Sequence, residues 1–115
     1  MGYSDSRLTV DFTRKSVTLD ARSIQLTRKE YELLSTLVQN AGEVLRREHL
    51  LWQVWGYSNQ ILTRTLDVHI RRLRKKLGSH ADLYIETIFG VGYRFQPFRA
   101  SRPQLAAGSS LAMTA

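Results

Sequence analysis

A chain of 115 residues has room for one domain, and its 43% hydrophobic and 10% aromatic content is that of a folded protein. The absence of cysteine excludes a disulfide framework, a thiolate zinc site and a thiol nucleophile. The net charge of +7 favours a polyanionic partner, although many small domains are basic for solubility alone. The apolar runs are far shorter than a membrane span and the first residues lack a signal-peptide pattern, so we expect a cytoplasmic protein with no membrane partner.

The first part of the chain predicts a small antiparallel sheet with one apolar face. Apolar and polar residues alternate over residues 8–12 and 17–19, and residues 24–26 return as another strand after a turn at 20–22. Residues 1–6 precede this pattern and are predicted to be disordered. The folded domain is therefore expected to begin at residue 7.

The first helix is predicted to begin after Thr27. Thr27 and Glu30 have the spacing of a capping box, in which hydroxyl and carboxylate each satisfy a backbone N–H at the helix N-terminus. Gly42 supplies the C-terminal stop, and apolar residues recur at helical spacing before it: Tyr31, Leu34, Leu37, Val38 and Ala41. We expect this helix to be structural.

Two further helices are predicted between residues 47 and 77. The shorter runs from about Arg47 to Trp55 and follows Arg46, a poor N-cap whose basic side chain suggests a contact outside the protein. The longer runs from Thr63 to Leu77 and is stopped by Gly78. Its apolar residues form one buried stripe: Leu66, Ile70, Leu73 and Leu77.

The last ordered segment is predicted to be a β-hairpin, with strands at 84–88 and 93–95 around the turn 89–92. From Pro97 onward the chain is rich in Ala, Ser, Gly and Pro, and residues 97–115 are predicted to be disordered. Strands, three helices and a hairpin in this order predict an α+β winged helix-turn-helix domain over residues 7–96.

The longest helix carries most of the positive charge. Residues 64–76 hold six basic residues and one acidic residue, a net +5 of the chain's +7, opposite the buried stripe. Thr65, Val68 and Arg72 form a line along that outer face. Arginine can bond guanine O6 and N7, and Thr and Val can pack on a thymine methyl, so the line predicts base reading in the major groove. Flanking residues are predicted to contact phosphates: Arg64, His69, Arg71, Arg74 and Lys75.

Other functions remain open beside DNA binding. An ordinary solvated helix is the alternative interpretation of the basic face, but the short preceding helix and trailing hairpin favour a DNA-binding domain. A winged helix can also serve as a protein-interaction module, or bind DNA without sequence preference. No catalytic site, metal site or cofactor is predicted, because His49, His69 and His80 lack metal-ligand spacing and no Cys or carboxylate cluster completes a site.

Several segments resemble the effector domains of the OmpR/PhoB family. They are Thr27-x-x-Glu30 and residues 33–34, 47–51, 54–56, 64–77, 85–88 and 90–95, within a similarity that spans about residues 7–96. The resemblance implies a four-stranded N-terminal sheet, three helices and a C-terminal wing. It also implies transcription regulation in a bacterial two-component system, by tandem homodimers on direct repeats of double-stranded promoter DNA, with nucleoid association when bound.

The resemblance also implies roles for individual residues. Base contacts fall on Thr65, Val68 and Arg72, with Asp67 as a further candidate. Phosphate contacts fall on residues of the last two helices and the wing: Arg47, Trp55, Arg64, His69, Arg71, Arg74 and Thr87. The segment that family members offer to RNA polymerase corresponds to Tyr57, Ser58, Asn59, Gln60, Ile61 and Leu62.

Two departures from the family pattern stand out. Many members place an arginine before the wing glycine, where it enters the minor groove, but this chain has Phe89. Phe89 therefore packs on sugars, leaves the wing with few base contacts, or contacts a protein; Arg94 matches a different family position and is not assigned the missing role. Members usually also carry an N-terminal receiver domain, phosphorylated on aspartate. This sequence has none, so we expect a segment of a response regulator or a rarer regulator without a receiver.

Overall fold

The computed structural model describes residues 1–56 and 63–98. Its elements are β1 (Gly2–Ser4), β2 (Leu8–Asp11), β3 (Ser16–Leu19), β4 (Arg22–Ile24), α1 (Arg28–Gln39), β5 (Val44–Arg46), α2 (Arg47–Trp55), α3 (Thr63–Leu77), α4 (Ala81–Tyr84), β6 (Ile85–Ile88) and β7 (Gly92–Phe95). A single 3₁₀ turn, Gly78–His80, joins α3 to α4. The predicted order of sheet, three main helices and hairpin is confirmed. In these two ranges, no helix is long and apolar enough to cross a membrane.

The N-terminal sheet has four antiparallel strands in the order β1-β2-β3-β4. Val10 lies opposite Val17, and both are buried on the inner face. The prediction that residues 1–6 are disordered was wrong, because Gly2–Ser4 pairs with β2 and Tyr3 lies opposite Val10. A three-residue edge strand has no alternation of its own to detect, and its partner strand decides its conformation.

The capping box at the start of α1 is confirmed. Thr27 Oγ1 accepts a hydrogen bond from the Glu30 N–H at 3.2 Å, and Glu30 Oε1 accepts one from the Thr27 N–H at 2.9 Å. Glu30 is only 2% exposed, and the same oxygen accepts a 2.6 Å hydrogen bond from Lys76 Nζ of α3. This salt bridge ties the beginning of α1 to the end of α3.

The hydrophobic core lies between the N-terminal sheet, the three main helices and the hairpin. The predicted stripe of α3 is confirmed, since all four of its residues are at most 2% exposed: Leu66, Ile70, Leu73 and Leu77. The other face of α3 is therefore directed away from the core.

The hairpin is part of a second sheet, of order β5-β7-β6. Strand β5 was not predicted, because its three residues show only an exposed–buried–exposed pattern that is too short to recognise. A Cβ atom on Gly92 would lie 1.9 Å from the Leu45 carbonyl oxygen, so the close pairing of β5 with β7 requires glycine there. Tyr84, predicted to begin the hairpin strand, instead ends α4.

The folded domain extends past residue 96, the predicted boundary. The Phe98 N–H donates to Asp5 Oδ2 at 3.3 Å, and the Phe98 ring packs between Arg7 and Tyr84. Asp5 also accepts hydrogen bonds from the N–H groups of Arg7 and Leu8 and from the Tyr84 hydroxyl. Asp5 thus joins the two ends of the domain. The rest of the predicted tail, residues 99–115, lies outside the described residues.

Candidate nucleic-acid interface

The face of α3 opposite the buried stripe is basic and open to solvent. Arg64, Arg71, Arg72 and Lys75 are exposed there. Thr65 and Val68 are half-buried beside Arg72, as the predicted line along the helix requires. The structure thus brings three of the four predicted base-reading residues and three of the predicted phosphate contacts onto one surface, the basic face.

Two of the six basic residues of α3, Lys76 and Arg74, do not belong to this surface. Lys76 is engaged in the salt bridge with buried Glu30 of α1. Burial acts to raise the pKa of Glu30, but hydrogen bonds from Lys76 and Thr27 outweigh it, so the pKa of Glu30 lies below its ordinary value. Lys76 was predicted to lie on the outer face because its partner Glu30 is 46 positions away in the chain, where no local pattern shows it.

Asp67 is bonded within the protein through both of its oxygens. Arg47 Nη2 of α2 lies 2.5 Å from Asp67 Oδ2, and the Tyr93 hydroxyl of β7 donates to Asp67 Oδ1 at 2.7 Å. The Arg47 hydrogen bond is the largest influence on the pKa of Asp67, which lies below its ordinary value despite burial. The same bond raises the pKa of Arg47. A charged pair therefore links α2, α3 and the hairpin.

Arg74 and Thr87, both predicted phosphate contacts, are bonded to each other. Arg74 Nη2 donates to Thr87 Oγ1 at 2.6 Å and to the Ile85 carbonyl at 3.0 Å. The Arg74 guanidinium also lies 5.7 Å from the centre of the Tyr93 ring. Arg74 is thus directed toward the hairpin. The Thr87 oxygen acts as acceptor toward Arg74, which leaves its O–H able to donate to a phosphate.

Trp55 and His69 pack against each other between α2 and α3. Their rings meet edge to face at 4.9 Å between centroids. His69 Nδ1 lies 2.8 Å from the Thr65 carbonyl oxygen, which assigns the proton to that nitrogen. A phosphate contact by His69 would therefore have to come from Nε2, and only the imidazolium form, which carries a proton on both nitrogens, can donate from there.

The tip of the hairpin, which forms the wing, presents Phe89 to solvent with 90% of its surface exposed. The turn is tied to the start of α2 by a 3.1 Å hydrogen bond from the Arg47 N–H to the Val91 carbonyl. Arg94 is not at the tip. Its Nη2 lies 2.8 Å from Glu86 Oε1 across the hairpin, and this bond is the main cause of the lowered pKa of Glu86.

The predicted RNA polymerase segment, residues 57–62, lies outside the described residues. Tyr93 was missed as a site residue, although the structure places its hydroxyl on Asp67. Its alternation with Phe95 indicated only a strand, and no local pattern shows that a tyrosine will meet a carboxylate 26 residues earlier in the chain.

Comparison with known proteins agrees with this architecture. The family model described as "Transcriptional regulatory protein, C terminal" matches residues 21–95. Similar proteins include the uncharacterized transcriptional regulatory protein YclJ of Bacillus subtilis, 48% identical over 88 residues that are 76% of this chain and 39% of that protein. Response regulator ArlR of Staphylococcus aureus is 44% identical over 87 residues, or 75% of this chain and 40% of ArlR. The chain thus spans about two fifths of the length of these relatives.

Solved structures show the same fold. Response regulator DrrB, an OmpR/PhoB homologue of Thermotoga maritima, has a TM-score of 0.76 at 38% identity, over 84% of this chain and 44% of DrrB. The RstA DNA-binding domain of Klebsiella pneumoniae, solved in complex with the RstA box, has a TM-score of 0.75 at 31% identity, over 84% of this chain and 98% of that domain. These matches agree with the prediction of a DNA-binding regulatory domain and not an enzyme. The chain belongs to the family of C-terminal domains of transcriptional regulatory proteins, in its OmpR/PhoB response-regulator branch.

Proposed function

We propose that this domain reads promoter DNA with α3 in the major groove. The observation that carries the proposal is the basic face, where exposed arginines stand beside Thr65 and Val68 on a helix anchored by its buried stripe. Arg72 bonds a guanine edge, and Thr65 and Val68 pack on thymine methyl groups. The remaining cations of this face neutralise phosphates and set the register of the helix: Arg64, Arg71 and Lys75.

Residues next to the basic face extend the contact to the phosphate backbone. Trp55 and His69 stand on its α2 side, where the half-buried indole N–H can donate to a phosphate and His69 can donate from Nε2 in its imidazolium form. Thr87 and Arg74 stand on its wing side. Arg47, also among the predicted phosphate contacts, is held in its salt bridge with Asp67 beside this face.

Membership of the family supports the wider role that we propose. The domain acts in the cytoplasm as the effector part of a two-component response regulator, binding as a tandem homodimer on direct repeats. Its residues 57–62 contact RNA polymerase. Two related domains support the DNA role, since RstA was solved with the RstA box and AdeR with an intercistronic region.

Selection from a random duplex library, followed by affinity measurements on the recovered site, tests the proposal. Arg72→Ala should weaken the binding free energy on the recovered site by about 1–3 kcal/mol and relax the base preference at one base pair. Arg71→Ala is the matched control, an exposed arginine of the same helix whose loss should weaken all sequences alike and reduce the salt slope by about one.

Three outcomes would contradict the proposal in different ways. Equal losses on every sequence for both variants would remove Arg72 from base reading. A wild-type domain that enriches no sequence, and whose binding disappears as salt rises, would be a nonspecific DNA binder. Absence of DNA binding at low salt would indicate a protein-interaction module.

A further inference from the structure

Asp67 is the only acidic residue among positions 64–76, and it lies beside a surface that otherwise attracts DNA. Its side chain is 42% exposed, so it is not there to fill the core. Both oxygens are used within the protein, one by Arg47 and the other by Tyr93. Base reading alone does not explain why both Asp67 oxygens are bonded within the protein.

The salt bridge with Asp67 changes how strongly Arg47 attracts DNA phosphates. The Arg47 side chain is 28% exposed, and its guanidinium lies against Asp67 Oδ2. A paired arginine and carboxylate carry no net charge together, so the pair attracts the phosphate backbone much less than an unpaired arginine would. Nonspecific DNA binding depends almost entirely on such unpaired charges and the counterions they release. The salt bridge therefore withholds one cation from indiscriminate phosphate contact.

We propose that Asp67 is a positioning residue that determines specificity by holding Arg47 in a salt bridge and so lowers binding to nonspecific DNA. Tyr93 orients the carboxylate from the hairpin, which keeps the pair in place. Discrimination between specific and nonspecific DNA then depends on the outward-facing residues of α3. The inference rests on the proposed DNA-binding function, and deepens it.

Asp67→Asn tests the proposal, because the amide keeps the side-chain shape and an acceptor for Tyr93 while removing the charge. Without the carboxylate charge beside it, the positive charge of Arg47 acts on the phosphate backbone and adds about one phosphate contact, which steepens the slope of log affinity against log salt by about 0.9. At 0.1 M salt, that slope corresponds to about eightfold tighter binding to a scrambled duplex. Affinity for the selected site should rise less, so that the ratio of specific to nonspecific affinity falls.

Asp82→Asn is the matched control for the change in net charge. Asp82 is exposed on α4, beyond the end of α3, and about 15 Å of helix separates Asp67 from that end. Its substitution should leave the salt slope unchanged. Thermal unfolding of each variant shows whether the fold is retained.

Arg47→Gln shows whether the effect passes through the salt bridge. In the Arg47→Gln background, Asp67→Asn should no longer change the salt slope. Arg47→Gln alone should weaken scrambled-duplex binding far less than Arg71→Gln, a comparison that holds even if Asp67→Asn does not fold.

The possible failures are distinguishable. The proposal is overturned if Asp67→Asn leaves scrambled-duplex affinity unchanged, or raises it equally with and without Arg47. A loss confined to one base pair of the selected site would make Asp67 a base reader instead. If the wild-type domain does not distinguish selected from scrambled DNA, it is the proposed function that fails.

Discussion

The salt bridge between Lys76 and Glu30 provides a test of how helix α3 is held. Replacing Lys76 with methionine keeps the aliphatic part of the side chain and removes the ammonium group. Glu30, 2% exposed, then keeps its hydrogen bond to the Thr27 N–H but has lost the Lys76 ion pair. We expect a loss of folding stability at neutral pH, because a buried carboxylate without its cation is costly.

The magnitude follows from the exposure of the two partners. Breaking a fully buried ion pair costs about 3–5 kcal/mol, and a hydrogen bond to a charged group contributes about 1.5–3 kcal/mol. Since the Lys76 side chain is 36% exposed and water reaches one side of the pair, we expect about 2 kcal/mol. For a domain of this size, that loss lowers Tm by about 8–16 °C.

The effect should depend on pH in a defined direction. The folded-state pKa of Glu30 lies below its ordinary value, so its contribution to stability is present above the ordinary pKa. That contribution is lost as the pH falls through the lowered, folded-state pKa. The difference in Tm between wild type and Lys76→Met should therefore be largest at neutral pH and shrink in acid.

Urea and thermal denaturation at neutral and acidic pH measure these quantities. Lys75→Met is the control, since Lys75 is the exposed neighbour and the charge change is identical. The Lys76–Glu30 salt bridge does not stabilise the fold as proposed if Lys76→Met is no more destabilising than Lys75→Met at neutral pH. The same conclusion follows if the difference in Tm between wild type and Lys76→Met grows in acid.

Two further predictions concern the wing and the contact of Asp5 that joins the two ends of the domain. Gly92→Ala should lower the free energy of unfolding, measured by urea denaturation, by about 3 kcal/mol, because the new Cβ would lie 1.9 Å from the Leu45 carbonyl oxygen. Gly90→Ala should lower the free energy of unfolding by only about 1 kcal/mol, because its Cβ is strained at φ +78° but meets no neighbour within 4 Å. Equal losses for Gly90→Ala and Gly92→Ala would contradict the role of the close pairing of β5 with β7. Asp5→Asn should cost about 1–3 kcal/mol at neutral pH, because Asp5 accepts hydrogen bonds that include the one from Tyr84. The lowered pKa of Asp5 means that this loss shrinks in acid, and a loss independent of pH would show that its charge is unimportant.

Local chemistry in the sequence was sufficient for the main elements. The capping spacing of Thr27 and Glu30 predicted where α1 begins, and the stripe from Leu66 to Leu77 predicted both the extent of α3 and the direction of its basic face. These features depend on residues three or four positions apart, and such spacing is visible in any single sequence. The wing was predicted for the same reason, from alternation on either side of a turn rich in glycine.

Tertiary structure alone decided which charges are available to DNA. Helical spacing gives the angle of a side chain around α3, but not the group that meets it at the edge of the buried stripe. Lys76 meets Glu30 46 positions away, and Asp67 meets Arg47 20 positions away. Strands β1 and β5 likewise exist because neighbouring strands supply their hydrogen bonds. Long-range contacts of this kind leave no local pattern, since each depends on where the chain returns after folding around its core.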